Sequence, residues 1–154
     1  PTGGQATPRA EIENDYRPWY IDYYRQHPGF GFWAVIEKTS GDFLGWFHFR
    51  TPPDGDRPDE IELGYRLRES AWGKGYATEG SRALIRKGFT EQGVQRVFAG
   101  TIAVHSSSRR VMEKAGLRLA RSFHLDWPYV IEGAEDGDVE YALSRDDWLE
   151  QGWP

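Results

Sequence analysis

Between Asp59 and Arg68 apolar and polar residues alternate. Ile61, Leu63, Tyr65 and Leu67 share one side, and Glu60, Glu62, Gly64 and Arg66 the other, which is the period-two pattern of a strand with one face turned inward. Past Gly75 the spacing changes: Ala77, Leu84, Gly88 and Phe89 form a helical stripe that stops at Gly93. Val94–Val104 is then mostly apolar, as expected of a buried parallel strand. Together these segments predict a strand, a glycine-spaced loop, a helix starting at about Tyr76 and a second strand in a β-loop-α-β crossover.

Upstream, Glu11–Gln26 places Ile12, Tyr16, Trp19, Tyr20, Tyr23 and Tyr24 at helical spacing, and Pro28 and Gly29 end that helix. Phe30–Glu37 and Asp42–Phe49, joined by Lys38-Thr39-Ser40-Gly41, read as an antiparallel hairpin, and Thr51–Pro58 as a loop. Downstream, Ser106–Ser108 offers N-cap residues for a helix with Val111, Met112 and Ala115 inward, closed by Gly116. Leu117–Asp126 and Asp138–Ser144 predict two last strands, the acidic stretch Glu132–Asp138 a turn between them, and Asp146–Glu150 a final helical turn. With no linker or internal repeat, the expectation is a single α/β domain over 1–154 in which residues 1–10 are a flexible lead-in. The chain opens at Pro1 rather than at an initiator methionine, which leaves open that residues precede it.

Arg68–Gly80 carries the most specific chemistry. Gly73 and Gly75 permit backbone angles closed to other residues, so successive N–H groups converge on one anion, and the following helix start adds unpaired amides and its positive dipole end. This predicts a diphosphate cradle. Composition narrows the class of protein around it. The 154 residues are 38% hydrophobic and 28% charged, which fits one globular domain, and a net charge of -5 argues against nucleic acid as the main partner. The chain has no cysteine, so it forms no disulfide and holds no thiol nucleophile or thiolate metal site. No apolar run is long enough for a signal or a membrane span, and a cytoplasmic protein is expected. His27, His48 and His124 lack partners at metal-ligand spacing, no Gly-x-Ser-x-Gly elbow is present, and Gly73-Lys74-Gly75 lacks the longer spacing of a triphosphate loop. Glu60 and Glu62 point the same way from one strand, unlike the facing carboxylates of a glycosidase.

These segments resemble the GNAT acetyltransferase superfamily, in particular its branch similar to the ribosomal-protein alanine N-acetyltransferases. The resemblance runs from about Phe30 to Trp148. It is carried by Gly64-Tyr65 followed by Trp72–Glu79, by the helix ending Met112-Glu113-Lys114-Ala115-Gly116, and by the closing stretch Glu140–Trp148. It implies a mixed sheet splayed into a V between Asp59–Arg68 and Val94–Val104, with acetyl-CoA as co-substrate and no metal. The family's first strand has no counterpart before Glu11, so the sheet edge, and a homodimer formed there, stay undetermined.

By the same resemblance, Trp72, Gly73, Lys74, Gly75, Tyr76, Ala77 and Thr78 hold the diphosphate, and Gly64 and Tyr65 line the strand edge that holds the thioester. Trp72 stands where the wider superfamily often has Arg or Gln, which shifts phosphate contact to the backbone. Lys74, Arg109 and Arg110 are candidate partners for CoA phosphates. His105 occupies the position of a pantetheine-binding Asn, and Met112 that of a Tyr acid. Protonation of the leaving thiolate is therefore unassigned; Ser108 is the candidate, with helix capping as its competing role. An amine attacks only when neutral. A lysine amine needs roughly 3 units of deprotonation at pH 7, about 4–5 kcal/mol, and an α-amine about one unit. Glu62, on the strand before the cofactor loop, is the candidate base, directly or through water, and Glu60 the fallback. The expected acceptor is a small-molecule or peptide amine, with aromatic residues of Trp19–Tyr24, Phe30, Phe32 and Trp33 shaping its side of the site. The non-enzymatic alternative is an acyl-CoA-binding module that has lost turnover.

Overall fold

A computed structural model describes residues 6–52, 57, 59–128 and 130–152. Three helical stretches follow one another without a break: α1 (Arg9–Glu11), a π-helical stretch (Ile12–Tyr16) and α2 (Arg17–Gln26). Strands β1 (Gly31–Ile36), β2 (Phe43–Arg50) and β3 (Glu60–Leu67) form an antiparallel meander. After it come α3 (Tyr76–Glu91), β4 (Arg96–Ile102), α4 (Ser106–Lys114), β5 (Arg118–Phe123), β6 (Asp138–Ser144) and α5 (Arg145–Glu150). The sheet runs in the order β1-β2-β3-β4-β6-β5, with β3 and β4 its one parallel pair. The predicted loop Thr51–Pro58 and lead-in 1–10 lie partly outside the described residues.

The expected splay is present. β3 and β4 pair only at Glu60↔Arg96, Ile61↔Val97 and Glu62↔Phe98, and both strands continue beyond that point without pairing to each other. β4 keeps its antiparallel partner β6 along its whole length, so the sheet stays intact on that side while opening toward β3. Alternation fixes which side chains face which layer. Phe47, Phe49, Ile61 and Leu63 are buried under α3, where Gly80 and Gly88 let the helix come so close that a Cβ would stand 2.5 Å from Phe47 and 2.7 Å from Phe49. Ile85 and Phe89 complete that side of α3, and α5 adds Trp148 against Phe89. On α4, Met112 and Ala115 face the same core, as their spacing predicts.

The opposite face of β1–β3 carries Phe32, Trp46, His48, Arg50, Glu62 and Gly64, with α2 lying on Phe32 through Trp19, Tyr20 and Tyr23. The predicted aromatic helix is thus real but turns no residue fully inward: Ile12, Tyr16, Trp19 and Tyr24 stay exposed. Two other expectations change. The helix at Ser106 has no side-chain cap, and its N-cap position is His105, so Ser106–Ser108 do not cap it. In contrast, Ser144 does cap α5, accepting from the Asp147 N–H at 3.1 Å. Among the described residues no helix is long and apolar enough to cross a membrane.

Candidate active site

The loop after β3 has the geometry its glycines predict. Gly73 and Gly75 take left-handed φ of 72° and 87°, and an added Cβ at either would meet nothing within 4 Å, so their conformation is used for backbone shape and not for packing. Gly75 is the N-cap of the sixteen-residue α3, and no side chain satisfies that helix start. The first amides of α3, at Tyr76, Ala77 and Thr78, have no intrahelical partner and no side-chain cap, and the helix start lies beside a depression of about 420 Å³ lined by Gly75, Thr78, Glu79, Arg82 and Lys114. A diphosphate fits such a nest of amides, and acetyl-CoA held there would supply an activated acyl carbonyl. Trp72 bends away, its indole Nε1 donating to the Leu67 carbonyl at 2.9 Å, so its ring braces the loop. The Tyr76 hydroxyl donates to Glu37 of the β1–β2 turn, which ties the helix start to the hairpin.

Glu62 occupies the last paired position before β3 and β4 separate. Arg50 on β2 binds its Oε2 through Nη2 at 2.9 Å and Nε at 3.1 Å, and His48 Nε2 stands 3.7 Å from Oε1. Burial pushes the Glu62 carboxyl up, but His48 and Arg50 outweigh it and hold it below the usual carboxylate range. Glu60, on the same face as predicted, is committed elsewhere, to Arg57 at 2.8 Å and Arg96 at 2.9 Å. Arg96 continues to Glu140 and Glu140 to Arg121, each at 2.7 Å, so Glu60 opens an ion-pair ladder across the sheet.

From the other face of the sheet, Tyr65 reaches α4: its hydroxyl lies 3.3 Å from Ser108 Oγ, closing a bridge over the mouth of the split. Burial pushes the Tyr65 hydroxyl up, with Ser108 opposing, so the phenol stays protonated. Glu62 and Ser108 therefore flank the opening from opposite faces and do not touch. His105, exposed at the start of α4, places Nδ1 3.2 Å from Thr101 Oγ1. Arg110 is exposed on α4, whereas Arg109 is held by the Tyr141 hydroxyl at 3.1 Å and the Ala103 carbonyl at 3.0 Å. Arg109 is thus a brace between α4 and β6 rather than a free phosphate partner. Met112 is buried in the core, where it cannot replace an acid.

The residue that sequence reasoning passed over is His48. Its ring lies over Gly64, where a Cβ would stand 2.2 Å from Cε1, and it belongs to an aromatic group with Phe32 and Trp46 at centroid distances of 6.2 and 6.0 Å. The signal available was its place two residues before Arg50 on a strand facing Glu62, but the register of the β2–β3 pairing is needed to use it.

A sheet that splays between β3 and β4, with a left-handed glycine loop following β3 at the open end, is the architecture the resemblance implies. The family described as acetyltransferase (GNAT) domain matches residues 3–118, and the chain belongs to it. It is 33% identical over 141 residues to the FsC-acetyl coenzyme A-N(2)-transacetylase of Aspergillus fumigatus, covering 88% of this chain and 59% of that protein. The chain spans about three fifths of the length of this relative and of a second curated one, from Bacillus subtilis. Among solved structures, the fold is similar to a ribosomal-protein-S5-alanine acetyltransferase from Vibrio fischeri, with TM-score 0.68 and 20% identity over 86% of this chain and 71% of that one. It is also similar to a spermidine N-acetyltransferase from Vibrio cholerae, with TM-score 0.69 and 12% identity over 97% and 98%.

Proposed function

We propose that this chain transfers an acetyl group from acetyl-CoA to a primary amine. The observation that carries the proposal is that three features follow one another along β3 and the loop after it: an ionised Glu62 at the fork, the β3–β4 split, and the uncapped helix start at Gly75–Thr78. In this reading the loop Trp72–Thr78 holds the diphosphate, mainly by backbone, with Lys74 and Arg110 as charged neighbours. Gly64 and Tyr65 border the thioester arm, with His105 near the pantetheine, and Ser108 donates a proton to the departing thiolate. Glu62 serves the acceptor side, where its carboxylate attracts the ammonium and favours loss of its proton.

The acceptor enters over the face carrying Phe32, Trp46 and Arg50. An α-amine is favoured over a lysine side chain. It needs only about one unit of deprotonation at neutral pH, and the relative that acts on an N2 nitrogen and the ribosomal-protein alanine branch both suggest this class. A pure binding module is not favoured, because an ionised carboxylate at the fork has no use in holding a thioester.

Calorimetric titration with acetyl-CoA, with ATP as control, tests the reading when followed by thiol release on adding alanine amide, lysine and spermidine. Binding with release is expected; a folded protein that does not bind acetyl-CoA would overturn it.

A further inference from the structure

Resting on the transferase reading, we propose that His48 is the group that takes the proton from the acceptor's ammonium, and that Glu62 is a positioning residue which holds the imidazole and stabilises its protonated form. The sequence offers Glu62 as the base, with Glu60 as the fallback; the cross-strand geometry puts a histidine beside Glu62.

Four observations support the assignment. First, His48 Nε2 is buried and makes no hydrogen bond, although it points toward Glu62 Oε1 at 3.7 Å. Closing by roughly half an ångström makes it a charge-assisted pair once the ring is protonated. Second, the ring sits directly over Gly64, its partner on β3, two residues past the last β3–β4 pair, so it overlooks the gap in which the thioester is expected. A side chain at position 64 would remove it. Third, the neighbouring groups are poor proton acceptors at neutral pH. Glu62 is bound to Arg50 and held well ionised, Arg50 is a fixed cation, and burial pushes the Tyr20 phenol of α2 up, so it keeps its proton. An imidazole is the side chain whose ordinary titration lies in this range. Fourth, Phe32 and Trp46 pack against the His48 ring and Tyr20 against Phe32, leaving His48 about one-sixth exposed, so the ring is held in place but not sealed off.

The chemistry balances. With Nε2–H turned to Glu62, one proton passes from the acceptor's ammonium to the other ring nitrogen, Nδ1, leaving a neutral amine. Its lone pair forms the C–N bond as the C–S bond breaks, and the amine's second proton ends on the thiolate. The proton on His48, stabilised by Glu62, then returns to solvent.

The test uses the whole chain, with alanine amide, lysine and spermidine as acceptors. His48→Gln is expected to bind acetyl-CoA within about twofold of wild type, to lower kcat at pH 7 roughly 100-fold, and to lose the acidic limb of the kcat profile. Glu62→Gln is expected to keep that limb but move it to lower pH, because the imidazolium loses its counter-ion. Imidazole NMR gives a second readout that needs no turnover: the His48 titration midpoint falls in Glu62→Gln. A wild-type profile in His48→Gln, or a His48 midpoint that Glu62→Gln does not move, overturns this assignment while leaving the transferase intact. Failure of the wild type to bind acetyl-CoA overturns both.

Discussion

Gly64 is the clearest case of one atom deciding an arrangement. A Cβ there would lie 2.2 Å from His48 Cε1 and 2.4 Å from Nε2, so Gly64→Ala must displace the imidazole. We expect a loss of about 1–3 kcal/mol in stability from overpacking, together with a fall in kcat larger than that of a surface glycine such as Gly41, which has nothing within 4 Å; chemical denaturation and single-turnover kinetics check the two effects. Charge has an equally local reading. Glu62 and Glu140 are both held below the usual carboxylate range. In each, burial acts upward and is outweighed, by His48 and Arg50 for Glu62 and by Arg96 and Arg121 for Glu140. A depressed folded pKa gives stability that is complete above the unfolded value, roughly 4.3, and is lost as pH falls through the lower folded values. Thermal unfolding followed from pH 6 to pH 3 is expected to show that loss at the acidic end, with a smaller slope in Glu140→Gln.

At the scale of elements, the loop between β3 and α3 and the ladder across the sheet make different predictions. Gly75→Val forces a β-branched residue into φ near 87°, a strain of about 1–2 kcal/mol, and its side chain enters the space in front of the open amides. Since no protein atom lies within 4 Å of the new Cβ, the fold is expected to survive and acetyl-CoA affinity to drop at least tenfold by calorimetry; unchanged affinity would show that the loop is not the cradle. Arg96 joins Glu60 of β3 to Glu140 of β6 through bonds of 2.9 and 2.7 Å. Arg96→Ala leaves the buried Glu140 with Arg121 as its one remaining ion-pair partner among the described residues and is expected to cost about 1.5–3 kcal/mol, read as a drop in Tm of roughly 3–12 °C for a domain of this size.

For the whole molecule, the split sheet means that ligand binding joins two halves that otherwise meet through three residue pairs at the β3–β4 seam and the helices packed behind it. A ligand bridging β3 and β4 binds the folded chain and not the unfolded one. Acetyl-CoA at 100 times its Kd is therefore expected to stabilise by about 2.7 kcal/mol, or roughly 5–11 °C in a melting experiment, and ATP not at all. At the far edge the two outer strands differ. β1 is partly covered by α2, while β5 is exposed along almost its whole length.

The alternation in Asp59–Arg68, the glycine loop and the stripe from Ala77 to Phe89 were legible because each is a local pattern: a period of two, a φ that only glycine takes at low cost, a period of 3.6. They determined the crossover, the left-handed glycine loop and the shared face of Glu60 and Glu62. The helix of Glu11–Gln26 was legible as a helix but not as a half-exposed one, since burial depends on what lies opposite, and here that is Phe32 on a distant strand. The tertiary structure alone separated the two carboxylates, giving Glu60 to Arg96 and Glu62 to Arg50 and His48. It alone withdrew Arg109 into a brace and brought Tyr65 to Ser108 across forty-three residues of chain. These outcomes rest on strand register and on the place where β3 and β4 part. Both are set by the packing of the whole sheet against α3 and α4, and no short window of sequence contains that information.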